Sequence, residues 1–139
     1  RIKNGHGINI FEDGKETRDF VYIDDVVDAT ILGLEVLKAN GCIFNIGTGM
    51  ATDVLTVANT LCEKYGNQVP VTISGNYRLG DIRHNYADIS LARRILGFEP
   101  KFSFTDGIAQ FCKWVDKQEV QDDMYEISIE EMKSKGLYK

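Results

Sequence analysis

At 139 residues, 43% of them hydrophobic and 10% aromatic, the chain has material for one ordinary domain with a core, which excludes a disordered sequence. A formal net charge of -5, with Lys and Arg scattered along the chain, excludes a general nucleic-acid or membrane-surface binder, since those need a continuous basic face. Cys42, Cys62 and Cys112 are odd in number and lack zinc spacing, so they read as free packing thiols of a reducing cytosol, and no metal site is expected.

No run approaches the roughly 20 apolar residues of a membrane span. The sequence begins at Arg1 without Met, so the start of the parent protein is expected elsewhere. Ile8 to Phe11 predicts a short strand, Glu12 to Lys15 a turn, and Arg18 to Ile23 a second extended segment. A helix follows, capped by Asp24 or Asp25. Val27, Ile31 and Leu34 give it one apolar side, and Ala29, Leu32 and Val36 give it another. Such a helix expects cover on more than one face.

Cys42 to Ile46 reads as a buried strand, and Gly47-Thr48-Gly49 turns the chain into a helix from about Asp53 to Tyr65, closed by Gly66. Val69 to Ile73 is the next expected strand. Asp88 is expected to cap a short helix ending at Gly97. Ser103 with Asp106 forms a capping box for a helix reaching about Lys117, and Ser128 with Glu131 repeats it. Strands and helices alternate, which gives an α/β class. The region divides into residues 1–118 and an acidic surface tail, 119–139, with a short helix.

Three segments could carry chemistry. Gly47-Thr48-Gly49 sits where a dinucleotide fingerprint would, but Thr52 replaces the third small residue and no acidic residue follows at ribose-binding distance, so it reads as a tight turn. Thr17 to Asp25 begins with an Arg18-Asp19 pair that could equally be a solvated ion pair. Tyr77 to Asp88 places Gly80 between Arg78 and Asp81. A guanidinium that grips phosphate oxygens and a carboxylate that accepts hydroxyl protons suit a phosphate joined to a ribose, although a polar loop before a helix is the plain alternative. His84 has no catalytic partner at motif spacing and reads as a loop residue.

Taken in order, Arg18-Asp19-Phe20-Val21-Tyr22-Ile23-Asp24-Asp25-Val26, Phe44 to Gly49, Arg78-Leu79-Gly80-Asp81-Ile82, Tyr86-Ala87-Asp88 and Leu96 to Pro100 followed by Asp106-Gly107-Ile108 resemble the carboxy-terminal half of the extended short-chain dehydrogenase/reductase family, in its nucleotide-sugar epimerases and dehydratases. The resemblance runs from about Asn9 to Trp114 and is greatest, weakly, to 4-epimerases of UDP- or dTDP-sugars. It implies an α/β substrate-binding portion whose amino-terminal Rossmann half lies elsewhere. By that resemblance Arg18 and Arg78 bind a diphosphate, Asp81 a ribose hydroxyl, Asn9 and Phe11 the pyrimidine, and Asn85 faces the sugar, its small side chain leaving room for a C2 substituent.

The family reaction also needs NAD, held by a glycine-rich strand-turn-helix, and a Tyr-x-x-x-Lys pair that serves transient sugar oxidation and hydride return. Neither stands in this sequence: none of its six Tyr has Lys four positions later. The resemblance therefore implies a cytoplasmic, homodimeric parent enzyme using NAD, with no catalytic, cofactor-binding or metal residue in this chain. The 139 residues alone are expected to bind nucleotide-sugars weakly or undetectably and to turn nothing over. A binding module without chemistry and a ligand-free packing domain stand as the rival readings. Helix Val26 to Leu37 and strand Phe44 to Ile46 are expected to pack on the missing dinucleotide domain, and so to be exposed here or paired with another copy.

Overall fold

The computed structural model describes residues 1–66 and 69–139. It is a mixed α/β chain that divides into two compact units, Arg1–Glu16 with Asp53–Arg83 and Phe111–Lys139, and Thr17–Thr52 with His84–Gln110.

In the first unit β1 (Ile8–Ile10) pairs in parallel with β3 (Val71–Ile73), with Asn9 opposite Thr72. Both strands are shorter than the sequence suggests, since Phe11 leaves β1 for the turn and Val69 and Pro70 precede β3. Between them runs α2 (Val54–Tyr65). It starts and stops as expected: the Asp53 carboxylate accepts from the Thr56 amide at 2.7 Å, and Gly66 ends the helix in the left-handed region at φ 60°. Ile2, Ile10, Ala58, Cys112 and Ile129 are buried in this unit.

The last helix, α5 (Tyr125–Ser134), corrects one expectation. Ser128 and Glu131 lie inside it, and the amide of its first residue is instead met by the Asp123 carboxylate at 3.0 Å. The Ser-x-x-Glu spacing misled because Asp123, two residues before Tyr125, offers a stronger acceptor where the free amides begin.

In the second unit β2 is only Thr17–Arg18, and α1 (Ile23–Glu35) begins sooner than expected. Neither Asp24 nor Asp25 is its cap. Tyr22 holds that position without a side-chain hydrogen bond, and both acids fall in the first turn. Ala29, Ala39, Ile89, Ala92, Leu96 and Phe98 form the core, with Leu32, Val36, Phe44 and Ile46 packed against it. The opposite stripe of α1 is exposed, Leu34 at 84%.

Residues 42–46 are not a strand. Phe44 and Ile46 touch the core, but Ile43 is 90% exposed, and among the described residues no strand pairs with the segment, so its backbone has no ladder to join. Helix α3 (Ser90–Leu96) ends at Gly97 as expected, but its cap position is Ile89, while Asp88 accepts from the Ser90 amide at 2.9 Å. Before α4 (Phe104–Val115) the capping box forms as read: Ser103 Oγ accepts from the Asp106 amide at 3.1 Å and donates to its carboxylate at 2.6 Å. Of the thiols, Cys112 is buried, Cys62 half-buried and Cys42 exposed, so Cys42 is not the packing residue expected.

Candidate functional site

The first unit gathers four of the six residues singled out in the sequence. Arg78 donates through Nη2 and Nε to one oxygen of Asp81, at 2.7 and 3.1 Å, around the Gly80 turn. Its guanidinium carbon stands 5.9 Å from the centre of the Phe11 ring. A cation, a hydroxyl acceptor and an aromatic ring are thus brought together. The Arg78 side chain is half exposed, so its ion pair contributes little to stability and can exchange Asp81 for a phosphate oxygen at small cost. Asn9 points elsewhere: its amide donates to Tyr125 Oη at 2.8 Å, and it lines a cavity of about 370 Å³ with Thr72, Tyr125, Lys133 and Tyr138.

The second unit places the other two. Arg18 and Asn85 line one polar cavity of about 480 Å³ together with Asp19, Phe44, Asn45 and Tyr86. Both reach the Thr17 carbonyl: Arg18 Nη1 donates to it at 2.8 Å and the Asn85 amide at 3.0 Å.

Beside that cavity Asp19 pins the Gly47-Thr48-Gly49 turn. Its carboxylate accepts from the Thr48 amide at 2.8 Å, the Thr48 hydroxyl at 2.6 Å, the Gly49 amide at 3.0 Å and the Ala87 amide at 3.2 Å. Burial pushes its pKa up, but the hydrogen bonds from Thr48, Ala87 and Gly49 together prevail and hold the carboxyl below its ordinary value. A Cβ on residue 47 would strike Asp19 Oδ2 and come within 2.8 Å of the Ala87 Cβ, which is why the position is Gly.

The remainder of the Arg18–Val26 segment is also structural. Phe20 packs on Phe104 and Tyr22 on Phe102, with ring centres 5.5 and 4.6 Å apart. Asp25, 1% exposed, accepts from the Lys101 and Phe102 amides at 2.9 and 3.2 Å. One stretch of sequence thereby ties a glycine turn and the segment before α4 to the start of α1.

Sequence reasoning passed over Arg83. Its guanidinium binds Glu12 at 2.7 Å, Asp13 at 2.7 Å and Glu16 at 3.2 Å, so it acts as the cation of an acidic cluster dense enough to hold a metal. The Arg83 hydrogen bond holds the Asp13 carboxyl down to about 2, whereas burial pushes Glu16 up. A depressed carboxyl adds stability above its ordinary pKa, and that contribution fades as pH falls toward 2. Titration followed by NMR should find Asp13 and Glu16 displaced in opposite directions. Arg83→Ala should return Asp13 most of the way to its ordinary value, and an unmoved Asp13 would refute Arg83 as the cause.

The NAD dependent epimerase/dehydratase family matches residues 1–47. Over 108 residues the chain is 39% identical to a dTDP-L-rhamnose 4-epimerase from Burkholderia thailandensis, a match covering 78% of this chain and 30% of that protein. The chain belongs to the NAD dependent epimerase/dehydratase family. Its fold superposes on a UDP-glucose 4-epimerase from Thermotoga maritima solved with UDP-glucose, with a TM-score of 0.75 and 35% identity over 84% of this chain and 37% of that one. A UDP-glucuronic acid 4-epimerase from Bacillus cereus, in complex with NAD, gives a TM-score of 0.71 at 28% identity over 84% of this chain and 35% of that one. This epimerase/dehydratase chain therefore spans about a third of the length of the relatives it matches.

NAD is the family cofactor. The Gly47-Thr48-Gly49 turn does not fit it, because the Thr48 and Gly49 amides that could cradle a pyrophosphate are already taken by the Asp19 carboxylate. Among the described residues of this epimerase/dehydratase chain no helix is long and apolar enough to cross a membrane.

Proposed function

We propose that the chain is the carboxy-terminal, nucleotide-sugar-binding part, residues 1–118, of an enzyme that inverts a hydroxyl on a UDP- or dTDP-sugar, a 4-epimerase. The observation that carries this reading is the joint placement of Arg78, Asp81 and Phe11, which offers a diphosphate, a ribose hydroxyl and a pyrimidine their respective partners. Asn9, whose side-chain amide is turned to Tyr125, stands apart from this group. Within the second unit Arg18 offers a cation suited to a phosphate, and Asn85, on the cavity that Arg18 lines, offers a polar group suited to a sugar. These residues bind and orient; catalysis belongs to a Tyr and Lys of the parent outside this chain. Anchoring the diphosphate still serves the reaction, since it fixes the sugar and reduces the entropy cost of reaching the reactive geometry.

Titration of the 139-residue chain with UDP and dTDP, followed by NMR, tests the reading. Weak saturable binding is expected, and Arg78→Ala or Arg18→Ala should weaken it by about 10- to 150-fold, the equivalent of ~1.5–3 kcal/mol for a charge-assisted hydrogen bond. Addition of NAD should give no turnover. Measurable epimerase activity from the purified chain would refute the division of labour proposed here.

The exposed apolar stripe of α1, Ile23, Val27, Ile31 and Leu34, and exposed Ile43 also support this reading, although Phe44 and Ile46, expected on such a face, pack on the core instead. In the parent these faces are covered by the dinucleotide-binding half. In the chain alone they favour self-association, so a Leu34→Glu, Ile43→Lys double variant should sediment more nearly as a monomer than the wild type does. Identical sedimentation of the two would remove this support.

A further inference from the structure

Gly136, in the left-handed region at φ 69°, turns the chain out of α5. Leu137–Lys139 then runs antiparallel to residues 77–79. The Tyr77 amide donates to the Lys139 carbonyl at 2.9 Å, the Leu79 amide to the Leu137 carbonyl at 2.8 Å, and the Lys139 amide returns to the Tyr77 carbonyl at 3.0 Å. Arg78 is thus held on both sides by backbone bonds to this segment, opposite Tyr138.

The Tyr138 side chain completes the contact. Its ring meets Phe11 edge to face, with centres 5.6 Å apart at 74°, and its hydroxyl accepts from the Asn76 amide group at 2.6 Å. Lys133 Nζ lies 5.4 Å from the ring centre. Edge-to-face contact fixes the tilt of the partner ring, so Tyr138 sets the orientation of Phe11, while the backbone pairing sets the height of Arg78 above it.

We infer that Tyr138 is a positioning residue for a pyrimidine nucleoside diphosphate: it presents the Phe11 face to the base, and its segment straps the Arg78 loop in the binding geometry. The inference rests on the nucleotide-sugar reading above. It assigns residues 137–139, beyond the span of the family resemblance, a part in ligand affinity.

The test compares UDP with inorganic pyrophosphate on the wild-type chain and on Tyr138→Phe and Tyr138→Ala, by NMR titration, with hydrogen exchange of the Leu79 amide as the monitor of strap docking. Tyr138→Ala should weaken UDP roughly tenfold, the scale of an aromatic contact, and pyrophosphate by less than about threefold. Tyr138→Phe keeps the ring and should restore UDP affinity to within about threefold of wild type. Leu79 should exchange faster only in the Ala variant. Unchanged UDP affinity in Tyr138→Ala, or equal losses for both ligands, overturns the inference while leaving the nucleotide reading standing. Failure of the wild-type chain to bind UDP while the Leu79 amide stays protected also overturns the inference, because the docked strap then makes no site; the nucleotide reading is judged separately, by Arg78→Ala in the full-length parent.

Discussion

Replacing Asp25 by Ala should cost the second unit about 3–5 kcal/mol, a large share of the ~5–15 kcal/mol that holds a typical domain together. The carboxylate is almost wholly buried, and both its oxygens are engaged, one by the Lys101 amide and one by the Phe102 amide. Truncation removes a charged acceptor from both amides at once and leaves a gap beneath Phe102, whose ring packs on Tyr22. Asp25→Asn should fall between, since its amide oxygen can serve one N–H while its NH₂ opposes the other. Asp24→Ala is the control: this neighbour is exposed, and the change should cost under about 1 kcal/mol, the size of its interaction with the helix dipole. Urea denaturation followed by circular dichroism, with hydrogen exchange at Lys101 and Phe102, measures the difference. Equal losses for the two acids would refute the staple.

That staple was partly legible in the sequence. Asp25 precedes Ala29, Leu32 and Val36 at spacings of four, three and four, so it lies on the stripe that faces the core, and a buried acid demands donors. Which donors it finds was not legible, because Lys101 and Phe102 lie 76 and 77 residues away. The same division holds elsewhere. The α2 boundaries followed from Asp53 and Gly66 because capping is local. The strand expected over 42–46 failed because a strand is defined by a partner, and periodicity within five residues cannot supply one.

Among the candidate ligand residues, Arg78 and Asp81 are three apart across a glycine, so their contact was readable. Tyr138 stands in a polar run with no motif around it. Its link to Phe11 exists only because Gly136 reverses the chain, and a Gly soon after Ser134 marks a helix end without telling what the following residues will meet. Arg83 was hidden for a related reason: the Glu12–Lys15 turn and the 78–83 loop each look solvated alone, and only the fold opposes their charges.

Asp19 carries the second large effect, and it connects stability to the ligand cavity. Asp19→Ala should destabilise the second unit by about 2–4 kcal/mol, because three backbone amides and one hydroxyl lose a charged acceptor together. The expected loss is below that for Asp25, since Asp19 is only half-buried and water can replace some of its bonds. Its depressed pKa fixes the sign with pH: the stabilisation is full above the unfolded carboxyl value, near 3.9, and is lost as pH falls through the lower folded value. Acid unfolding should therefore be shallower in Asp19→Asn than in the wild type. Gly47→Ala attacks the same contact from the other side, driving its methyl into the Asp19 carboxylate. If that collision is what excludes Ala, the Asp19→Ala, Gly47→Ala double variant should lose less than the sum of the singles, because the first change makes room for the second. Strict additivity would mean that Gly47 is needed for some other reason. Since Arg18 and Asn85 share their cavity with Asp19, the single variants should also weaken UDP binding, and the double variant should not restore it, because the carboxylate that holds the turn and Ala87 is gone.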